Sequence, residues 1–347
     1  MKDGVSIVIP TWNGLELLKQ FLPSVIQAAK FHCNPTEIII VDDGSDDETL
    51  AWLTGEGFAD VSETGSSATQ QPALKLIRNK TNRGFGETCN RGIEAALYPL
   101  IFLLNNDVEV ARDSIAPLVE NFADADVFSA HCHVFNFESG QECGTGKLGS
   151  FSQGFIRVHR SYVALIEGEL NSRGRALYSM FASGGSAMFD RQKFLELGGF
   201  DCLLSPAYWE DVDISYRAWK RGYKILYEPR SVVRHRISST MRRVNQRKMR
   251  RIQQRNRIIY HWINLHDRKF FLSHLLWVTL LALTSPLRFQ MGYLLSVFSA
   301  LKRLPQIRKR RREERASAKR SDRDLYAIFA TFEQRADILP YDERKRP

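Results

Sequence analysis

Cysteine is scarce and unpaired in this 347-residue sequence, which contains five cysteines. They are odd in number, widely spaced and form no Cys-x-x-Cys pair. The sequence therefore favours reduced thiols in a cytosolic setting over a disulfide framework. Residues 131–133, His-Cys-His, place two histidines on one strand face, but no second ligand pair follows at the spacing of a zinc site, so we expect ordinary core or surface residues there. No signal-peptide pattern precedes the first predicted strand.

No apolar run has the full length of a membrane-spanning helix. Residues 270–287 are eighteen residues without a formal charge, slightly fewer than the about twenty that cross a bilayer, and Pro286 lies near their end. Basic residues flank the run on both sides, at Lys269 and Arg288, so neither end is marked for translocation. The sequence favours a helix that lies on a membrane over one that spans it.

Acidic residues are scarce in the last third of the chain. Residues 1–229 carry 20 Lys and Arg against 30 Asp and Glu, a net charge of −10. Residues 230–347 carry 29 against 9, a net charge of +20. The acidic part suits metal and hydroxyl chemistry, whereas the basic part calls for a polyanion such as a membrane surface or a nucleic acid.

What the sequence does contain is a full hydrophobic core and a repeating pattern. Hydrophobic residues make up 44% and aromatic residues 11% of the chain, which is enough for one large domain with an extension. Strand-like runs at residues 5–10, 37–41, 74–78 and 100–104 alternate with helical patterns such as residues 15–30. This alternation predicts an α/β fold with a doubly wound, mostly parallel sheet.

Glycine-rich and polar segments interrupt this pattern. Residues 54–72 are predicted to form a loop, and residues 140–154, with five glycines, a mobile loop. Regular structure is predicted again for a strand at residues 186–189 and for helices at residues 192–197 and 212–221.

Two predicted strands end abruptly in polar and acidic residues. Residues 100–108 are Leu-Ile-Phe-Leu-Leu-Asn-Asn-Asp-Val, and residues 41–45 are Val-Asp-Asp-Gly-Ser. Open α/β sheets bind ligands at the carboxyl ends of their strands, so Asp107 is expected at a ligand site. A surface turn or a helix cap would explain either motif alone. Two acidic strand ends together favour a cleft.

Three later segments add candidate site chemistry. Residues 82–86, Asn-Arg-Gly-Phe-Gly, form a turn whose backbone amides suit a phosphate, although many such turns are only turns. Residues 208–211, Tyr-Trp-Glu-Asp, place aromatic rings beside paired carboxylates, which suits a site that holds a sugar and takes a proton from its hydroxyl. Helix capping is the alternative for these acids. His235 ends a strand-like segment, where a lone histidine is usually a surface residue.

Taken in order, these motifs resemble the family 2 glycosyltransferases, nucleotide-sugar-dependent inverting enzymes with the GT-A fold. The resemblance covers about residues 4–240. It depends on Ile9-Pro10-Thr11-Trp12-Asn13, Val41-Asp42-Asp43-Gly44-Ser45, Asn82-Arg83-Gly84-Phe85-Gly86 with Asn90, Leu104-Asn105-Asn106-Asp107, Gly184-Gly185, Trp209-Glu210-Asp211 and His235. The strand end at residues 104–107 and the Arg-His-Arg segment at 234–236 look most like bacterial rhamnosyltransferases and galactofuranosyltransferases.

The resemblance implies a set of donor-binding residues. Asp43 would accept a hydrogen bond from the nucleotide base, Arg83 would lie near the ribose or diphosphate, and two glycines would form the floor beneath the donor sugar. The implied set is Pro10, Thr11, Asn13, Asp42, Asp43, Asn82, Arg83, Gly84, Asn105, Asn106, Gly184 and Gly185. The implied donor is a dTDP- or UDP-sugar, with rhamnose or another hexose as the best guess.

The resemblance also implies a divalent cation, Mn²⁺ or Mg²⁺, and a catalytic base. Asp107 matches the last acid of the family's Asp-x-Asp motif, and His235 matches a histidine that joins it on the cation, which acts as a Lewis acid. The motif's first acid is the neutral Asn105 here, so we expect weaker metal affinity. Asp211 matches the base that deprotonates the acceptor hydroxyl, and Glu210 and Trp209 would position the acceptor.

We divide the chain into a catalytic domain, residues 1–240, and a basic, amphipathic helical extension, residues 241–347. One face of a predicted helix in the extension carries mostly small and polar residues, the polar stripe, and the other face carries apolar residues, the apolar stripe. This pattern is typical of interfacial helices. The polar stripe is Gly292, Ser296, Ser299 and Arg303, and the apolar stripe is Leu294, Val297, Phe298, Leu301 and Leu304. This predicts a peripheral protein at the cytoplasmic face of the plasma membrane. The alternative is a helical pair packed on the catalytic domain or on a second subunit.

Membrane docking makes a polyprenyl-diphosphate-linked glycan the economical acceptor. Three other classes compete. A nucleic-acid-binding protein would use the basic region, but its aromatic residues are not interleaved for base stacking, so no nucleic acid is expected. A catalytically silent sugar-binding scaffold would have lost Asp107, Asp211 or His235, all of which are present. A nucleotidyltransferase would release pyrophosphate instead of a nucleoside diphosphate.

Overall fold

Short apolar runs form the strands predicted at residues 5–10, 37–41, 74–78, 100–104 and 186–189. The computed structural model describes residues 4–62, 72–164, 177–236, 245–286, 291–335 and 338–341. Its strands are β1 (Val5–Thr11), β2 (Thr36–Asp42), β3 (Ala59–Asp60), β4 (Ala73–Arg78), β5 (Leu100–Leu104), β6 (Val108–Val110), β7 (Val127–Asn136), β8 (Glu142–Gly144), β9 (Gly146–Ser152), β10 (Phe155–Ala164), β11 (Ser186–Asp190), β12 (Lys224–His235) and β13 (Ile338–Tyr341).

Helices alternate with the first strands and then dominate the end of the chain. They are α1 (Leu15–Phe31), α2 (Thr49–Gly55), α3 (Phe85–Glu94), α4 (Ile115–Glu120), α5 (Arg191–Glu196), α6 (Glu210–Lys220), α7 (Gln246–Asn264), α8 (Arg268–Thr284), α9 (Met291–Leu301), α10 (Leu304–Ser317) and α11 (Asp322–Glu333). The helices predicted at residues 15–30 and 192–197 are confirmed to within one residue. The last helix before β12 begins at Glu210, two residues earlier than predicted.

The main sheet is mixed but mostly parallel, which confirms the predicted fold class. Its strand order is β3-β4-β2-β1-β5-β11-β7-β12-β6, with β8 paired to β7. Strands β4, β2, β1 and β5 run parallel, and β11 is antiparallel to both of its neighbours. A second, antiparallel sheet has the order β13-β10-β9.

Strands β1 and β5 are buried on both faces because β5 is apolar throughout and β1 is mostly apolar. Ile7 and Phe102 point into a core formed with α1, whereas Val8 and Leu103 point into a second core formed with α3. Strands that are covered on both faces need such continuous apolar runs. Burial therefore fixes the register of β1 and β5, and with it the positions of the residues that follow them.

The predicted mobile loop at residues 140–154 is wrong, because this segment forms β8 and β9. Its glycines let neighbouring groups approach closely. A Cβ on Gly146 would lie 2.2 Å from Tyr162, and one on Gly149 would lie 2.3 Å from the Met180 sulfur. Part of the other predicted loop, residues 63–71, lies outside the described residues, and its first part contains the end of α2 and β3.

The C-terminal helices share the core of the catalytic part. Tyr260 of α7 and Leu325 and Phe329 of α11 are buried in the same cluster as Val8 and Leu103. The arrangement corresponds to the alternative in which helices of the basic region pack on the catalytic domain. The predicted boundary at residue 240 lies in the undescribed segment 237–244.

Helix α9 packs on the protein with one face and leaves the opposite, partly apolar face exposed. The small polar stripe faces the protein: Ser296 is buried and its Oγ donates to the Arg251 carbonyl oxygen of α7 at 3.0 Å. The apolar residues Leu295, Phe298 and Leu301 are exposed instead. Among the described segments we find no helix with both the length and the apolar character to cross a membrane.

Candidate functional site

A cavity of about 690 Å³ lies at the carboxyl ends of β1, β2 and β5. This volume is within the roughly 300–1,000 Å³ typical of small-molecule sites. The predicted site residues that line it are Pro10, Thr11, Asp43, Asn82, Gly84, Asn105, Asn106, Asp107, Gly184, Gly185, Glu210, Asp211 and His235. The fold thus gathers into one cavity motifs that are up to 225 positions apart in the sequence.

Four predicted site residues do not line this cavity. They are Asn13, Asp42, Arg83 and Trp209. Asn13 Nδ2 donates to Asp46 Oδ1 at 2.6 Å, and Asp42 Oδ2 accepts from the Ser45 N–H at 3.1 Å, so both brace the turn after β2. The Arg83 side chain pairs with Glu87 at 2.9 Å on the surface. Trp209 packs on the Tyr260 ring at a centroid distance of 5.2 Å.

Asp43 fixes the turn that begins α3. Its Oδ1 accepts from the Arg83 N–H and from Asn79 Nδ2, both at 2.8 Å, and its Oδ2 accepts from the Gly84 N–H at 2.9 Å. Gly84 has a φ of +90°, a conformation that L side chains rarely adopt. Asp43 therefore has a clear structural role here, and its contact with a nucleotide base stays a prediction.

Strand pairing places His235 beside Asp107. Strand β12 pairs antiparallel with β6, His235 lies opposite Val108, and His235 Nε2 is 3.0 Å from Asp107 Oδ1. Two neighbouring ligands of an octahedral Mg²⁺ or Mn²⁺, each about 2.1 Å from the ion, are about 3 Å apart. The pair therefore fits a shared cation through one oxygen and one imidazole nitrogen.

The neutral residues of the Asn105-Asn106-Asp107 motif support the cavity wall. Asn106 Nδ2 donates to Thr11 Oγ1 at 2.9 Å and ties the end of β5 to the end of β1. The Asn105 side chain lies against Gly185, where a Cβ would be 2.5 Å from it. The described residues contain no cluster of three His, Cys, Asp or Glu side chains that could hold a metal.

Glu210 and Asp211 lie in the first turn of α6. Asp211 Oδ1 accepts from the Val212 N–H at 2.8 Å, and Oδ2 accepts from the Gly184 N–H at 3.3 Å. Burial raises the pKa of Asp211, against these hydrogen bonds. Burial, with a further contribution from the negative charge of Asp211, raises the pKa of Glu210 to about 8. Burial thus favours the protonated form of Glu210 at neutral pH.

The Asp107–His235 pair and the Glu210–Asp211 pair are linked through one dipeptide, Gly184-Gly185. The Gly184 N–H contacts Asp211, while the Gly185 carbonyl oxygen accepts from the Asn105 N–H at 3.0 Å, at the strand end that leads to Asp107. Gly185 cannot carry a side chain without displacing Asn105. Glycine at position 185 therefore lets the Asn105 side chain lie directly against the backbone of this dipeptide.

Sequence reasoning missed the residues that close the cavity on the side of α6 and α7. They are Pro206 and Ala207 before α6, and Lys248, Met249 and Ile252 on α7. The first two immediately precede the Tyr-Trp-Glu-Asp motif, which was a usable signal. No sequence signal marked the α7 residues, because they lie in a helix whose basic pattern resembles that of a surface helix.

Known glycosyltransferases are similar to this chain in sequence. The profile of glycosyl transferase family 2 matches residues 6–198, more than half of the chain. The chain is 25% identical over 228 residues to the poly-beta-1,6-N-acetyl-D-glucosamine synthase of Staphylococcus aureus, covering 65% of this chain and 48% of that protein. It is 29% identical over 240 residues to the N-acetylgalactosaminyltransferase 7 of Drosophila melanogaster, covering 66% of this chain and 39% of that protein.

Solved structures show the same fold. GalNAc-T7 with UDP, GalNAc and Mn²⁺ has a TM-score of 0.54 at 23% identity, covering 76% of this chain and 48% of that one. S. aureus TarS 1–349 with UDP-GlcNAc has a TM-score of 0.53 at 14% identity, covering 95% and 92%. The chain spans about half or less of the length of these curated relatives. On the family match and the GT-A-like architecture, this chain belongs to glycosyl transferase family 2.

Proposed function

We propose that this protein is an inverting glycosyltransferase. It would move a sugar, rhamnose or another hexose, from a dTDP- or UDP-linked donor to a hydroxyl of a cell-surface glycan acceptor. The observation that carries the proposal is the presence in one cavity of the Asp107–His235 pair and the Glu210–Asp211 pair, joined through Gly184 and Gly185. One pair suits a charged leaving group, and the other suits proton transfer.

The strand-end side of the cavity would hold the donor diphosphate. Asp107 and His235 would bind a divalent cation, which when bound supplies Lewis-acid stabilisation of the leaving group. Asn106 and Thr11 keep this end of the sheet rigid through their mutual hydrogen bond. Gly184 and Gly185 line the cavity and would form the floor beneath the donor sugar.

Asp211 would act as the general base. Its carboxylate takes the proton of the acceptor hydroxyl while that oxygen bonds to the anomeric carbon and the bond from this carbon to the diphosphate oxygen breaks. Attack from the face opposite the leaving group inverts the configuration. A raised pKa makes Asp211 a stronger base, and the protonated Glu210 can donate a hydrogen bond to the acceptor.

The relatives support the substrate class but not the individual roles. They include a poly-beta-1,6-N-acetyl-D-glucosamine synthase and structures in complex with UDP and GalNAc or with UDP-GlcNAc, so nucleotide sugars and cell-surface glycans fit the family. The family match ends at residue 198, before Asp211 and His235. The roles of these two residues depend on the cavity geometry.

A donor screen tests the proposal. We expect one of dTDP-rhamnose, UDP-galactofuranose, UDP-glucose and UDP-N-acetylglucosamine to yield free nucleoside diphosphate, faster with Mn²⁺ than without it. Release of pyrophosphate would instead identify a nucleotidyltransferase. If no donor in the panel is cleaved, with or without a glycan acceptor, the proposed activity is wrong.

The apolar surface of α8 and α9 supports a membrane-associated acceptor. Leu272, Leu276 and Leu283 form one exposed stripe on α8, and Leu295 and Phe298 are exposed on α9. Exposed basic residues, Arg308, Lys309 and Arg312, follow on α10. Apolar side chains with flanking basic charge suit the anionic inner face of a plasma membrane, where polyprenyl-diphosphate-linked glycans are anchored.

Flotation with vesicles that contain phosphatidylglycerol tests this surface. Leu276→Ser combined with Phe298→Ser should reduce the vesicle-bound fraction at least fivefold, since each change removes a large apolar contact. Leu97→Ser is the matched control, because Leu97 is as exposed as Leu276, 69% in each case, but lies outside α8 and α9. Equal binding of the double variant and the native protein would exclude this surface as the membrane contact.

A further inference from the structure

Two consecutive residues of α7 bind the segment that leads into Glu210 and Asp211. Asn256 is completely buried, and the two hydrogens of its NH₂ group are shared among the carbonyl oxygens of Ala207 and Tyr208, both 3.0 Å from Nδ2, and that of Leu204. Arg255 Nη2 donates to the Ser205 carbonyl oxygen. The carbonyl oxygens of residues 204, 205, 207 and 208 are thus all bound by α7.

The remaining carbonyl of this segment is bound from the other side. The Phe85 N–H, at the start of α3, donates to the Pro206 carbonyl oxygen at 2.8 Å. A Cβ on Gly84 would lie 2.7 Å from the same oxygen. Residues 204–208 are therefore fixed between α7 and the turn that Asp43 organises, with every backbone carbonyl occupied.

This segment needs such support because its end is strained. Tyr208 has a φ of +75° and Trp209 a φ of +79°, and neither is a glycine. Non-glycine residues in this conformation are strained and persist only where their surroundings enforce it. The strain lies immediately before Glu210 and Asp211, so relaxation of the turn would move both carboxyl groups.

The orientation of the Asn256 amide is itself fixed. Arg255 Nε and Nη2 donate to Asn256 Oδ1 at 2.9 and 2.7 Å, which leaves the NH₂ group to face the turn. A side chain with no NH₂ group at this position cannot make these bonds. Asn256 is 46 positions after Glu210 and lies outside the segment that matches the family profile.

We propose that Asn256 is a positioning residue for catalysis, which holds the left-handed Tyr208–Trp209 turn so that Asp211 faces the acceptor hydroxyl. The expected effect on kcat rests on the proposed transfer reaction. The expected effect on the turn at residues 204–209 does not. Asn256 touches no substrate atom in this account and acts only through residues 204–209.

Hydrogen exchange tests the structural part without any substrate. In Asn256→Ala, backbone amides of residues 203–210 should exchange at least tenfold faster than in the native protein. Asn264→Ala is the matched control: Asn264 is a buried asparagine of the same helix, and its amide donates to Asp213 Oδ1 at 2.6 Å and not to the turn. Equal exchange of residues 203–210 in the two variants would overturn the proposal. Asn256→Ser replaces Asn256→Ala if the latter does not fold.

Kinetics tests the functional part on the donor found by the screen. A displacement of about 1 Å at a reacting group can cost about 100-fold in rate. We expect kcat to fall 10- to 100-fold in Asn256→Ala with donor KM within threefold, and the acidic limb of the pH profile to move upward as the Asp211 hydrogen bonds weaken. Asn264→Ala should keep kcat within threefold. Native kcat in Asn256→Ala would overturn the proposal, whereas an inactive native protein would contradict only the proposed function.

Discussion

The two sides of the cavity are held in place by different means. On the strand-end side, Asp107 and His235 follow from strand register: β5 pairs with β1, and β12 pairs with β6. On the helix side, Asp211 follows a strained turn that a distant helix fixes through side-chain amide and guanidinium groups. Sheet register can be inferred from local apolar patterns, whereas the turn depends on a contact between residues about 50 positions apart.

The acidic and basic parts of the chain are also less separate than their charges suggest. Ion pairs join them: Lys220 with Asp322 at 2.6 Å, Arg221 with Glu314 at 2.8 Å and Arg310 with Asp201 at 3.0 Å. Arg311 donates to the Trp262 carbonyl oxygen and lies over the Phe271 ring. Part of the predicted polyanion-binding charge is thus used to attach the C-terminal helices.

The largest expected effect is on the helix side. Asp211→Asn should lower the transfer rate about 1,000-fold, because the amide cannot accept the proton of the acceptor hydroxyl. Asp113→Asn, an exposed carboxyl outside the cavity, should keep the native rate. Steady-state release of nucleoside diphosphate with acceptor present measures both, and native activity in Asp211→Asn would remove this residue from the mechanism.

The next effect is on the strand-end side. His235→Ala removes one of two proposed cation ligands, so we expect the rate at low Mn²⁺ to fall about 100-fold and to recover in part as Mn²⁺ is raised. His159→Ala is the control. His159 Nε2 lies 3.0 Å from Glu333 Oε2, and neither residue lines the cavity. An unchanged Mn²⁺ titration for His235→Ala would show that the histidine does not bind the cation.

A smaller effect should come from the contact between the two sides. Gly84→Ala places a Cβ 2.7 Å from the Pro206 carbonyl oxygen, whereas Gly57→Ala meets nothing within 4 Å, although Gly57 has the same left-handed φ. Both changes should cost about 1–2 kcal/mol of stability from backbone strain. Only Gly84→Ala should also lower the transfer rate, about tenfold. Similar rates in the two variants would show that this contact does not position the turn.

The smallest effect concerns the pH dependence of stability. The pKa of Glu210 is raised to about 8 by burial and by Asp211, so the folded state binds a proton that the unfolded state has released. The contribution of Glu210 to the free energy of unfolding is complete below the ordinary glutamate pKa, and it is lost as the pH rises through about 8. The difference in Tm between Glu210→Gln and the native protein, measured by thermal unfolding, should be about 3–5 °C more favourable to the variant at pH 9 than at pH 5. Glu94→Gln, an exposed control, should show no such trend.

Much of the strand-end side could be predicted from the sequence. Apolar runs such as residues 100–104 are buried on both faces, so their ends had to lie at the sheet edge where Asp107 is found. The helix side could be predicted only in part. The Trp-Glu-Asp motif located Asp211, but nothing local indicated positive φ at Tyr208 and Trp209, because Asn256 imposes it from another helix.

The sequence was misleading where small residues permit close packing. Glycines at residues 140–154 suggested a mobile loop, yet Gly146 and Gly149 allow Tyr162 and Met180 to pack against β9. Both partners lie outside residues 140–154, and hydrophobic periodicity contains no information about them.

The central claim is that the strand-end side binds the nucleoside diphosphate with its cation, while the helix side transfers the proton. Calorimetric titration of UDP or dTDP with Mn²⁺ into the native protein, Asp107→Ala and Asp211→Asn tests this division directly. We predict a Kd for Asp211→Asn within threefold of native and a Kd for Asp107→Ala at least 30-fold weaker. Equal weakening in both variants, or native affinity in Asp107→Ala, would contradict the account.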